Sequence, residues 1–310
     1  LPQRGTVPRI AAGEAREIGV TTRALEAARN GAAAAPAAGL ARLKRRAGRW
    51  ALRGLAGLVF FFIFIPVIFV LWISLFEQQI VSFPPEGYTL RWYENAFARS
   101  EFRHGFGLSL QVAFIAMVIG VTSGAAGAYA IVRFRFPGRE AFNNLLLGPL
   151  VVPGIVAGTS LYVYYIMVEN LLDVDFRGTL HGLVLGHILL TIPWTVRLVS
   201  ASLVGLDRAV EEAAMNLGAG PWTTFRRITL PMMRPGLVAA SLFSFIQSFE
   251  NLELTLLLVG PGRTTLPVAM LNYLEFRIDP TIAAVASVQI VLIGALMLIT
   301  DRFVKLSRIV

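Results

Sequence analysis

Cysteine is absent from the 310 residues. That removes disulfide bridges, thiolate metal sites and a thiol nucleophile, and leaves the redox compartment unreadable. Lysine is almost absent as well: Lys44 and Lys305 are the only two, and neither follows a glycine. The phosphate-cradling pattern G-x-x-x-x-G-K-S/T is therefore missing. Charge of either sign is scarce, 15% of residues against 55% hydrophobic, and the mean hydropathy is +0.65. A soluble domain of ordinary composition is far less apolar. The composition reads as an integral membrane protein.

Crossing an apolar core of about 30 Å takes roughly 20 helical residues. Six segments meet that length: 55–76, 108–132, 145–168, 180–203, 236–259 and 281–304. The fourth, with His181, His187 and Arg197, is the least apolar. Residues 1–50 differ in composition, with the run "GAAAAPAAG" and the basic cluster "RLKRRAGR". They read as a mobile basic tail, helical in part between Thr21 and Asn30, followed by a transmembrane domain over 55–305. A cleavable signal peptide fits poorly, since the basic region is long and the apolar segment after it is long enough to span.

The net charge of +9 would suggest nucleic acid or an anionic surface in a soluble protein. Here its location matters more than its sum. Threading the six spans places 22 of the 28 Lys and Arg residues on one side, which the positive-inside rule makes cytoplasmic. Both termini then face the cytosol, as does the loop at 207–232. Most of the basic excess is topological, so nucleic acid is not an expected partner.

That loop contains "EEAAMNLGAGPWTTFRRITLP". Asp207 can cap a helix start, Gly218 can take the left-handed position at its end, and Gly220-Pro221 can open a second helix. Pro231 is expected to stop that second helix. Glu211 and Glu212 fall in the early turns of the first helix, where the dipole favours carboxylates, and Ala213 and Ala214 let another surface approach. The segment is also compatible with an amphipathic hairpin lying on headgroups, held by Trp222, Phe225, Arg226 and Arg227.

The loop resembles the cytoplasmic EAA loop of the permease subunits of binding-protein-dependent ABC importers. That pattern is E-A-A, three residues, G, nine residues, I, one residue, L-P, and Glu212, Ala213, Ala214, Gly218, Ile228, Leu230 and Pro231 fill it. "TIPWTVRLVSASLVGLDRAVEEAAMNLGA" and "FIQSFENLELTLLLVGPGRTTLPVAMLNYLEFRIDPTIAAVAS" resemble the spermidine/putrescine-type permeases in particular. The resemblance implies an all-α integral membrane protein with six transmembrane helices and the type I importer permease fold, set in a bacterial inner membrane. It implies docking of the loop on a separate ATPase dimer, with Glu212 and Gly218 as the leading contacts and Glu211 beside them. It also implies a second permease, a paralogue, and an external substrate-binding protein meeting residues 77–105 and 260–280. This chain would be no enzyme and hold no cofactor or metal, since ATP and Mg would bind the partner ATPase.

Gln247, Glu250, Asn251 and Glu253 are unusual for a fifth span running over 236–259. A carboxylate at such a depth needs a polar interior or a partner. These residues either line the route of a cationic solute, a polyamine for example, or sit solvated at an outer helix end, paired with Arg263 or Arg277. His187 reads as a hydrogen-bonded packing residue more than as a proton relay. Gly120, Gly124 and Ala128 form a small-residue stripe that suits close helix packing, within the subunit or against another. Gly148-Pro149, Pro153-Gly154 and Gly158 should bend the third span. An importer of another small solute, such as an amino-acid derivative, an organophosphonate or ferric ion, fits the same features. An ion-coupled secondary transporter is the rival from another class, but it would have no use for the loop.

Overall fold

A computed structural model describes residues 48–304. The basic tail, apart from its last three residues, lies outside the described residues. The described residues up to Ile68 and those from Phe69 onward form two units. The first described element is α1, Gly48–Ile73, whose apolar side chains from Leu55 to Ile65 are exposed along its length.

The second unit is all helical. Its elements are α2 (Arg91–Ala98), α3 (Ser100–Arg133), α4 (Arg139–Leu147), α5 (Gly154–Leu172) and α6 (Leu180–Val204). There follow α7 (Arg208–Asn216), α8 (Pro221–Thr224), α9 (Leu230–Met232), α10 (Arg234–Phe249), α11 (Glu253–Leu258), α12 (Leu266–Phe276) and α13 (Thr281–Val304). Among the described residues five helices are long and apolar enough to cross a membrane: α1, α3, α5, α6 and α13. A sixth crossing exists if Pro221–Met232 and Arg234–Phe249, bent by 63°, count as one.

α3, α6 and α10 form the centre of the bundle. Small residues let α3 and α6 meet: a Cβ on Gly120 would strike Thr191, and one on Gly124 would stand 2.8 Å from Thr195 Cβ. The stripe read from the sequence therefore serves packing within this chain. Buried apolar side chains fall into three clusters, one around Phe102, Leu266 and Tyr273, one around Tyr165, Leu183 and Leu258, and one around Leu203, Met233 and Ala240. His187, fully buried in α6, joins Ser248 through Nδ1 at 2.7 Å and Thr255 through Nε2 at 3.0 Å. It is a hydrogen-bonded packing histidine.

Three expectations need correction. The third span does not begin near 145: α4 ends at Leu147, a 3-10 turn covers Gly148–Leu150, and α5 starts at Gly154 after Pro153. Two prolines without N–H groups break the ladder there. The fifth span does not run unbroken to 259, because α10 stops at Phe249 and α11 starts afresh at Glu253. Sixteen residues make only about 24 Å of helix, short of the apolar core. The break is held by Asn251, whose Oδ1 accepts from the N–H groups of Leu254 and Thr255, so the polar side chain competes with continued helix. Finally, Pro231 does not stop the helix. The preceding turn, Phe225–Thr229, widens to π geometry, with the Leu230 N–H donating to the Phe225 carbonyl. The wider turn relieves the clash between the proline ring and the preceding carbonyls, and the chain bends instead of ending.

Candidate functional site

The loop between α6 and α10 is built as its sequence dictates. Asp207 Oδ1 accepts from the Ala209 N–H at 2.9 Å and caps α7. At the other end Gly218 takes φ 92°, with Gly218 N–H donating to Met215 O and Ala219 N–H to Ala214 O. Those two bonds define a Schellman end, and a side chain at Gly218 would be strained there. Gly220 then hands the chain to Pro221 at the first position of α8.

Successive helical residues point about 100° apart, and the two glutamates accordingly part company. Glu212 is exposed and pairs with Arg208 at 3.3 Å on the surface, a contact of little energetic weight. Glu211 is buried at 8% exposure. Its Oε1 accepts from Thr229 Oγ1 at 2.8 Å and its Oε2 lies 3.2 Å from Arg133 Nε at the end of α3. Phe225 adds a second tie, edge-on to Tyr129 of α3 with 5.0 Å between ring centroids and stacked on Trp222. Ala213 and Gly218 are exposed, Ala214 and Ile228 half-buried, and Leu230 and Pro231 exposed. Met215, Leu217 and Trp222 add apolar area, Leu217 at 89% exposure. The loop thus has one face fastened to the bundle and one free face of small, apolar and charged groups of both signs. Sequence reasoning missed Arg133 and Thr229. The doubled Glu was a signal, since two adjacent helical carboxylates cannot face the same way.

The acidic cluster is rearranged by the break after α10. Gln247 is half-buried on α10, and Glu250 closes that helix with an exposed side chain. Asn251 is committed to capping α11. Glu253 begins α11 and lies against Gly154 at the start of α5, where a Cβ would collide with its carboxylate. Gly158, one turn on, packs on the Leu254 backbone. The two helix breaks, before α5 and after α10, therefore meet. Neither Glu250 nor Glu253 is ion-paired among the described residues. No cluster of His, Asp or Glu that could hold a metal occurs among the described residues.

Residues 33–308 match the family described as binding-protein-dependent transport system inner membrane component, and the chain belongs to that family of ABC importer permeases. It is 30% identical to the putrescine transport system permease protein PotI of Escherichia coli K12 over 236 residues, 76% of this chain and 84% of that one. It is 26% identical to the spermidine/putrescine permease PotC of the same strain over 84% of this chain and 96% of that one. Similarity to the molybdenum transport permease ModB of that strain reaches 32%, over 65% of this chain and 93% of that one. Among solved structures it resembles a bacterial ABC transporter importing alginate, with TM-score 0.66 at 18% identity over 85% of this chain and 98% of that one. It also resembles the MetNI methionine transporter, with TM-score 0.54 at 19% identity over 66% and 94%. The type I importer permease fold expected from the sequence is the fold observed, and in these transporters the ATPase is a separate subunit.

Proposed function

We propose that this chain forms half of the membrane pathway of a polyamine-type importer. In this reading both termini lie in the cytosol, and a paralogous permease completes the pathway. The observation that carries it is the free face of α7 and its Schellman end, with Glu212, Ala213 and Gly218 outward and Leu217 almost fully exposed. A small, apolar knob of that kind suits a cleft on an ATPase subunit.

At the opposite side of the bundle, both segments expected to meet a binding protein line one cleft of about 590 Å³, with Arg99, Glu101 and His104 from one and Thr264, Tyr273 and Arg277 from the other. A single docking surface made from both fits a soluble donor of substrate. Glu250 is the side chain proposed to face a cationic solute, because it is exposed and not ion-paired among the described residues. The putrescine and spermidine names of the similar permeases support the substrate class.

The test is ATP hydrolysis by the reconstituted complex, titrated with its binding protein and candidate solutes. Stimulation by putrescine or spermidine, and none by oxyanions or amino acids, is expected. Stimulation by a different class alone overturns the substrate assignment.

A further inference from the structure

The face of the loop fastened to the bundle holds a buried ion pair. Arg133 and Glu211 have side chains only 9% and 11% exposed, and they meet at 3.2 Å in a bent geometry that makes an ion pair rather than a straight hydrogen bond. Arg133 Nη2 is buried with no hydrogen-bond partner among the described residues. Glu211 is thus the guanidinium's one counter-charge there, and its second oxygen is taken by Thr229 of the π turn. Three elements converge on this carboxylate: α3, α7 and the turn before α9.

α3 is the longest helix among the described residues, 34 residues or about 51 Å. One end is the Arg133 pair. Near its other end Phe102 packs on Tyr273 with ring centroids 5.2 Å apart. Farther along, Ser109 Oγ accepts from the Leu266 N–H at 2.9 Å. Both partners belong to α12, whose Tyr273 lines the proposed docking cleft. The loop's covalent joints to its neighbours are less direct. Three residues, Gly205 to Asp207, separate it from α6, and a 63° bend separates it from α10. A displacement of α7 can be absorbed at those joints, whereas at Arg133 it would have to separate two buried opposite charges, which is costly.

We infer that the Arg133–Glu211 pair, braced by Thr229, is the joint through which motion of the docked loop enters α3, and that Glu211 is a positioning residue and not an ATPase contact. This rests on the reading of the loop as the ATPase docking element, with the contact assigned to Glu212 and the transmission to Glu211.

The experiment uses the complete reconstituted importer and reads three quantities: co-purification of the ATPase, ATP hydrolysis, and solute taken up per ATP. Glu211→Gln and Arg133→Gln are each expected to keep the ATPase bound and hydrolysis within about twofold, while uptake per ATP falls about tenfold. The milder Thr229→Val, which leaves the ion pair in place, is expected to cost about threefold in the same ratio. The exchanged pair R133E/E211R is expected to recover most of the loss, which a defect specific to either residue alone would not do. Unchanged uptake per ATP in both Glu211→Gln and Thr229→Val overturns the inference, and so does loss of the ATPase from Glu211→Gln. Glu212→Lys serves as the separate control: retention of the ATPase at full hydrolysis there would overturn the docking reading itself.

Discussion

Glu253, the first residue of α11, lies with its carboxylate against Gly154, the first residue of α5, so the two broken helices of the bundle touch at their breaks. The N-terminal turn of α5 offers N–H groups without intrahelical acceptors and the positive end of its dipole. Glu253 therefore has a packing contact that Glu250 lacks, and the two acids are not equivalent.

Gly154→Ala tests that contact. The added Cβ would occupy the space of the Glu253 carboxylate, and side chain or helix must move. A loss of about 1–3 kcal/mol in stability is expected from overpacking, read as a lower melting temperature of the purified permease. Combining it with Glu253→Ala should restore most of the loss.

Glu250→Gln should leave folding unchanged, since the side chain is exposed at the end of α10. Uptake of a cationic solute is expected to fall about tenfold, equivalent to roughly 1.4 kcal/mol in solute interaction. Normal uptake at normal expression would remove Glu250 from the pathway.

His187→Leu should be among the more damaging single changes. It would strip partners from the buried hydroxyls of Ser248 and Thr255 across the break between α10 and α11. Each unsatisfied group costs about 1–3 kcal/mol. Thr255 keeps its bond to the Asn251 carbonyl at 2.8 Å, so the loss should fall nearer the Ser248 side. Thermal unfolding in detergent measures it, and His187→Gln should lose less.

Gly124→Leu should separate α3 from α6, because even a methyl group at that position would stand 2.8 Å from Thr195. The helices pack through close approach more than through apolar area, as membrane bundles do. Failure of the variant to accumulate in the membrane, with near-normal levels for Gly107→Leu, is the expected outcome. Gly107 has open space around its Cβ direction.

The loop was legible in detail because its signals are local. A capping Asp207, a left-handed Gly218 and a Pro221 at a helix start each act within a turn, and all three stand where the sequence puts them. The ends of the fourth and sixth apolar segments were likewise readable, as α6 and α13 cover them closely. Hydropathy could not report the breaks in the third and fifth, since an apolar run reads the same whether or not the helix continues. Pro231 misled for a related reason: a missing N–H predicts a disturbed ladder, and whether the chain ends or widens into a π turn depends on neighbours.

Composition and residue order alone determined that this chain lies in a membrane, which faces its helices can pack with, and where a punctuated loop interrupts them. Those properties follow from apolar area and backbone geometry acting over a few residues. Tertiary structure alone decided that Glu211 turns inward to Arg133, 78 positions away in sequence, that Glu253 meets Gly154, and that His187 bridges a helix break. Such pairings depend on which distant side chains the bundle buries together. In a low-dielectric interior every buried charge or hydroxyl must find its partner there or stand unpaired at high cost.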